Sequence, residues 1–201
     1  VQGLVRAARV GDAAGLARVH SESWRLTYGG VLSARYLAGL DEEVLVESWR
    51  RRLATPDGRR ALLVAERDGA VEGFSLFGPC GDDRDLVGFA GEIQMLYVLP
   101  TAQRRGQGRA LFERSAAALA GAGRERLFWL VVWVVDVNHA ARAFYARMGL
   151  EPDGATRVDR LGGEGVPVVR YAGALNRIDV GDLVTRGTSS PRRRSSPPRR
   201  T

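Results

Sequence analysis

The spacing of apolar residues switches repeatedly between a helical and a strand-like period, and the switches mark the elements. Residues 4–10 read as a short strand, and Gly11-Asp12 supplies a turn with Asp12 as an N-cap. Leu16, Val19, Ser23 and Trp24 then recur at helical spacing, in a helix that fades near Thr27-Tyr28-Gly29-Gly30. Ser33 caps a short turn through Leu37. A second amphipathic helix sets Val44, Leu45, Trp49 and Leu53 on one face and ends at Thr55-Pro56-Asp57-Gly58. Two apolar runs, 61–67 and 71–77, flank Asp68-Gly69, which predicts a hairpin. Residues 78–85 form a polar, glycine-rich loop. The next strand, 91–99, stops at Pro100, which has no N–H to give to a ladder.

Leu111, Ser115 and Leu119 lie one turn apart, as do Phe112, Ala116 and Ala120, so 106–120 is a helix packed on a sheet. Residues 126–135 are apolar almost throughout, as in a strand buried on both faces. Asn138 opens a helix with Ala141, Phe144, Tyr145 and Met148 along one side, Gly149 ends it, and 166–171 is a last strand. The order β-α-α-β-β-β-α-β-α-β describes a mixed α/β domain, a central sheet with helices on both faces, over residues 1–175. Residues 176–201 lack periodicity and are expected to be a mostly disordered tail rich in Arg, Ser and Pro.

Composition then narrows the function classes. The 201 residues suit one domain, and a hydrophobic share of 45% supports a sizeable core. No apolar run reaches the roughly 18–20 residues of a membrane span, and no charged start precedes an apolar stretch, so neither a membrane helix nor a signal peptide is expected. One cysteine, Cys80, gives no internal disulfide, so a cytoplasmic, reducing location is expected. The net charge of +7 owes most of its size to six arginines from Arg186 onward, where no acidic residue occurs. The body is thus close to neutral, and nucleic-acid binding through the tail, weak and salt-dependent, is a minor alternative. Two histidines and one cysteine without ligand-type spacing predict no metal.

The segment 92–111 carries most of the chemistry: a strand, Pro100, a loop rich in Arg and Gly, then a helix. A helix N-terminus offers unpaired N–H groups and a positive dipole end, where phosphate oxygens dock. Gly106 and Gly108 let the backbone approach closely, and Arg104, Arg105 and Arg109 add charge. Neither the dinucleotide fingerprint nor the P-loop lysine motif is present.

Gln103, Gly106 and Gly108 satisfy [Q/R]-x-x-G-x-[G/A], and residues 138–150 satisfy N-x-x-A-x-x-F-Y-x-x-x-G-[F/L]. The two blocks, in this order with a strand between them, resemble the GCN5-related N-acetyltransferases (GNAT), as does Trp24-Arg-Leu-Thr-Tyr28-Gly-Gly. The resemblance covers about residues 4–175. It implies an acyltransferase that moves acetyl from acetyl-CoA, its co-substrate, to a primary amine by direct transfer in a ternary complex.

It also implies roles. Backbone groups of Leu96, Tyr97 and Val98 would pair with the pantetheine arm, Gln103, Arg104, Arg105, Gly106, Gln107, Gly108 and Arg109 would hold the pyrophosphate, and Asn138 would bind near the thioester. Tyr145 would protonate the leaving thiolate. Glu92, an acid at the start of an apolar strand, is the candidate base. Simple alternation puts Gln94 on the side of Glu92, with Ile93, Met95 and Tyr97 facing the other way. Trp24, Tyr28 and Tyr36 are candidates for the acceptor pocket.

Bland readings stand beside these: Asn138 as a plain N-cap, Tyr145 and the aromatic residues as core, Glu92 as a solvated carboxylate, His20 as core or pocket lining, His139 as surface, and Cys80 as incidental. A non-catalytic acyl-CoA sensor on the same fold is the alternative function. A monomer or homodimer is the default implied by the family.

Overall fold

The computed structural model describes residues 3–81, 83, 85–121 and 127–178. Seven strands, β1 (Leu4–Ala7), β2 (Ala61–Arg67), β3 (Ala70–Pro79), β4 (Ala90–Val98), β5 (Trp129–Val135), β6 (Glu151–Leu161) and β7 (Glu164–Ala174), make one sheet in the order β1-β2-β3-β4-β5-β7-β6. Every neighbouring pair is antiparallel except β4 and β5. The helices are α1 (Ala13–Thr27), α2 (Ala34–Ala38), α3 (Glu42–Ala54), α4 (Gln107–Gly121) and α5 (His139–Arg147).

Strand alternation sorts the core into two faces. On one, Val64, Val71 and Phe74 pack with Leu16, Val19 and Trp49 of α1 and α3. On the other, Phe77, Ile93, Leu130, Val132 and Tyr171 pack with Phe112, Ala116 and Leu119 of α4 and with Tyr145 of α5. Gly91 sits directly under α4, where a Cβ would stand 2.8 Å from Leu119, so the missing side chain lets the helix approach β4. Ser33 caps α2 through the Tyr36 N–H, as expected.

Several details differ from the sequence expectation. Asp12 precedes α1 but does not cap it. Its carboxylate takes the Arg9 N–H at 2.7 Å and pairs with Arg6, and these bonds hold its pKa below the ordinary value. Val44 is exposed, because the buried stripe of α3 runs through Leu45, Val46, Trp49 and Leu53, and Val44 falls about 100° outside it. The strand β6 was not anticipated. It lies at the sheet edge, carries Pro152 and Gly154, and alternates without an apolar set, so it lacks the usual signal. Its turn to β7 uses Gly162 and Gly163, both at positive φ (60° and 84°), the conformation tight hairpin turns require.

Of the predicted tail, only 176–178 are described, and Ile178 is buried against the α4 side of the core. The arginine-rich remainder and Arg126 lie outside the described residues. Among those described, no helix is long and apolar enough to cross a membrane.

Candidate active site

The loop between β4 and α4 is short and tightly held. A 3-10 turn, Pro100–Ala102, follows β4, and the Gln103 side chain folds back to donate to the Val98 carbonyl at 3.2 Å. Arg104 adopts φ 60°, a left-handed conformation uncommon outside glycine. Gly106 has φ 86° and its carbonyl accepts the Ala110 N–H at 2.9 Å, which makes it the N-cap of α4. A Cβ at Gly106 would meet nothing within 4 Å, so its backbone conformation demands glycine and the space beyond is open. The N–H groups of Gly106, Gln107 and Gly108 face this open helix end, with Arg104, Arg105 and Arg109 exposed around it. Arg109 also pairs with Glu113 one turn along α4. The surroundings therefore fit an anion with several acceptor oxygens.

Beside the cradle the sheet splits. The parallel pairing of β4 and β5 covers only Ala90, Gly91 and Glu92 against Trp129, Leu130 and Val131. Beyond it, β4 continues on β3 and β5 continues on β7, so residues 93–98 and 132–135 diverge. The backbone of Leu96, Tyr97 and Val98 thus lines a gap that opens toward the cradle. This is the crevice at the carboxyl ends of strands where α/β folds bind ligands.

Glu92 occupies the last paired position and is 8% exposed. Its neighbours Gly91 and Ile93 face α4, so its side chain faces the α1 side, as do Ala90 and Val131. The expected alternation after it fails. Phe77 pairs with Ile93 and Leu76 with Met95, so Gln94 is an inserted bulge residue. Ile93 therefore packs under α4, whereas Met95 and Tyr97 pack under α1.

Three tyrosines converge on the split. The hydroxyl of Tyr28, the residue that caps the end of α1, lies 3.3 Å from that of Tyr97, and burial raises the pKa of both. Tyr145 comes from α5 on the opposite face; burial first, then the Tyr28 hydroxyl, hold its pKa well above the usual tyrosine value. Hydroxyls from both sides of the sheet thus sense each other where β4 and β5 part. Nearby, His20 stacks on Tyr97 and packs edge-on against Trp24, Trp49 and Phe74, and burial depresses its pKa to about 4. Asn138 caps α5 by accepting the Ala141 N–H at 3.0 Å, which engages its carbonyl oxygen rather than its NH₂.

On the α1 side, Trp24, Tyr28 and Tyr36 pack with Trp133 of β5 and Leu161 of β6. Trp133 donates its indole N–H to Asp83 at 2.9 Å, and the Arg157 guanidinium lies 4.1 Å above its ring. Arg170, opposite Trp133 on β7, binds Asp85 and Asp153.

Residues 16–150 match the Acetyltransferase (GNAT) family. The chain belongs to this family. It is 34% identical over 135 residues to the uncharacterized N-acetyltransferase YuaI of Bacillus subtilis, a stretch covering 67% of this chain and 72% of the relative. A second uncharacterized N-acetyltransferase, from Mycobacterium bovis, is 33% identical over 151 residues, covering 75% and 90% of the two chains. The fold matches a phosphinothricin acetyltransferase from Sinorhizobium meliloti in complex with AcCoA (TM-score 0.64, 19% identity, covering 87% and 89%). It also matches the PaiA N-acetyltransferase of Thermoplasma acidophilum in complex with coenzyme A (0.61, 19% identity, covering 85% and 98%).

In this GNAT acyltransferase, Trp24, Tyr28 and Tyr36 share one core cluster, as the bland reading had it, and Glu92 is buried rather than solvated. Asn138 is an N-cap, and Tyr145 is buried but beside the gap. His139 is exposed, and Cys80 is buried against Ala90 and Val131, with its thiol 3.7 Å from Asp83. Sequence reasoning missed Trp133, Asp83, Arg157 and Arg170. Alternation along β5 offered one signal: it places Val131, Trp133 and Val135 on the face of Glu92.

Proposed function

We propose that this acyltransferase moves acetyl from acetyl-CoA directly to a primary amine in a ternary complex formed across the β4–β5 split. The observation that carries the reading is the continuity of the gap: anion cradle at one end, free strand edge along it, and a buried acid and phenol at its base. Backbone groups of Leu96, Tyr97 and Val98 pair with the pantetheine amides as an added strand would. Gln103 to Arg109 surround the pyrophosphate, and the Asn138 NH₂ reaches toward the thioester.

The acceptor approaches from the α1 side, over Trp24, Tyr28 and Tyr36. Amines of the lysine type have a pKa of about 10.4 and arrive protonated. Glu92 takes that proton through water. The freed nitrogen attacks the acetyl carbon, a C–N bond forms and the C–S bond breaks; Tyr145 gives its proton to sulfur, and the second proton shed by the nitrogen as the amide forms restores the phenol through water. The buried phenol holds its proton at neutral pH, as the donor role requires.

The test is free-thiol release on mixing the protein, acetyl-CoA and a panel of amines, with the amide confirmed by mass. Amine-dependent release is expected, and Tyr145→Phe should lower kcat by about 10²-fold while binding coenzyme A as before. Coenzyme A binding without amine-dependent release would replace the enzyme reading with an acyl-CoA sensor.

A further inference from the structure

We propose that Glu72 is a positioning residue that sets the shape of the pyrophosphate cradle by gripping it at both ends. The inference rests on the reading of residues 103–109 as a cradle. At the near end, the Glu72 carbonyl accepts the Leu99 N–H at 2.8 Å, where β4 gives way to the loop. At the far end, its carboxylate accepts the side-chain NH₂ of Gln107 in the first turn of α4. Arg67 Nε braces the same carboxylate oxygen at 3.3 Å. One residue thus spans the loop that must curl around the anion.

Three features show that the chain is built around this grip. First, Ala65 pairs with Gly73 and Glu66 with Val71, so Glu72 is the extra residue of a β-bulge. Bulges re-aim a side chain away from the regular alternation. Second, Gln107 is turned inward and is 4% exposed, although Arg104, Arg105 and Arg109 around it face solvent. Gly3 makes room for it, since a Cβ there would stand 3.2 Å from Gln107 Nε2. Third, a carboxylate only accepts, so the amide must present its NH₂ to Glu72. Its buried Oε1 is left without a hydrogen-bond partner. An unsatisfied buried oxygen is unfavourable, so holding Gln107 in this direction takes precedence over satisfying it.

Fixing Gln107 fixes the direction of the first turn of α4 and therefore of the N–H groups of Gly106 and Gly108. Glu72 and Gln107 then act as one unit, felt by the pyrophosphate and not by the thioester end. The test is calorimetric titration of the whole chain with coenzyme A and, separately, with pantetheine, which lacks the pyrophosphate.

Glu72→Ala and Gln107→Ala should each weaken coenzyme A by about tenfold, and the double variant by about tenfold rather than a hundredfold, because coupled neighbours are not additive. Pantetheine affinity should change by less than about twofold in all three. Equal losses for both ligands with a lower melting temperature would reduce Glu72 to a fold-stabilising residue, and unchanged coenzyme A affinity would overturn the proposal outright. If the unsubstituted protein does not bind coenzyme A, it is the cradle reading that falls.

Discussion

At the scale of residues, burial decides what the ionisable groups near the split can do. His20 lies among Trp24, Trp49, Phe74 and Tyr97, which cannot hydrate an imidazolium, so its pKa falls from 6.5 to about 4. The fold thus favours neutral His20. Its contribution is complete above about pH 6.5 and is lost as pH falls toward 4. The loss at pH 4 is on the order of 2–3 kcal/mol. His20→Phe should flatten the part of the acid-induced drop in melting temperature that lies in this window. An unchanged profile would mean that other groups carry it. Glu92 and Tyr145 were both legible from sequence: the first as an acid in an apolar strand, the second from a motif. Their placement on opposite faces of the sheet was not, because facing depends on how the strands and helices pack.

At the scale of elements, the hairpin β6–β7 shows how a local turn shapes a distant wall. Gly162 sits against the Tyr36 ring, and a Cβ there would come within 2.5 Å of it. The same residue has positive φ, so Gly162→Ala meets both steric and backbone resistance. It should destabilise the protein by about 1–3 kcal/mol, lowering the melting temperature, and should shift Tyr36 and so the Michaelis constant for the amine more than that for acetyl-CoA. Equal changes in both constants would detach Tyr36 from the acceptor side. Elements with strong apolar periodicity, such as α1, α4 and β5, were readable in the sequence. The edge strand β6 was not, since its alternating positions carry no apolar set. The bulges at Gln94 and Glu72 were also invisible, because an inserted residue changes facing without changing composition.

At the scale of the molecule, the organisation is a sheet held together on both sides of a deliberate break. Antiparallel pairing joins β1 to β4 on one side and β5 to β6 on the other, and three residue pairs of parallel strand join the halves. The Arg170 contacts to Asp83 and Asp85 tie the loop after β3 to the β6–β7 half and so bridge the same boundary. The motif at Gln103, Gly106 and Gly108 was readable because the left-handed backbone at Gly106 restricts residue type. The aromatic cluster of Trp24, Tyr28 and Tyr36 was only partly readable, since Trp133 and Arg157 are brought to it by the packing of β5, β6 and β7.

The central claim is that the donor lies in this break with its pyrophosphate at the head of α4. Hydrogen exchange read by mass spectrometry, with and without coenzyme A, tests it most directly. Amides of Leu96–Val98 and of Arg104–Gly108 should slow markedly on binding, while those of β1 and β6 stay as they were. Binding accompanied by unchanged exchange in both segments would contradict the account.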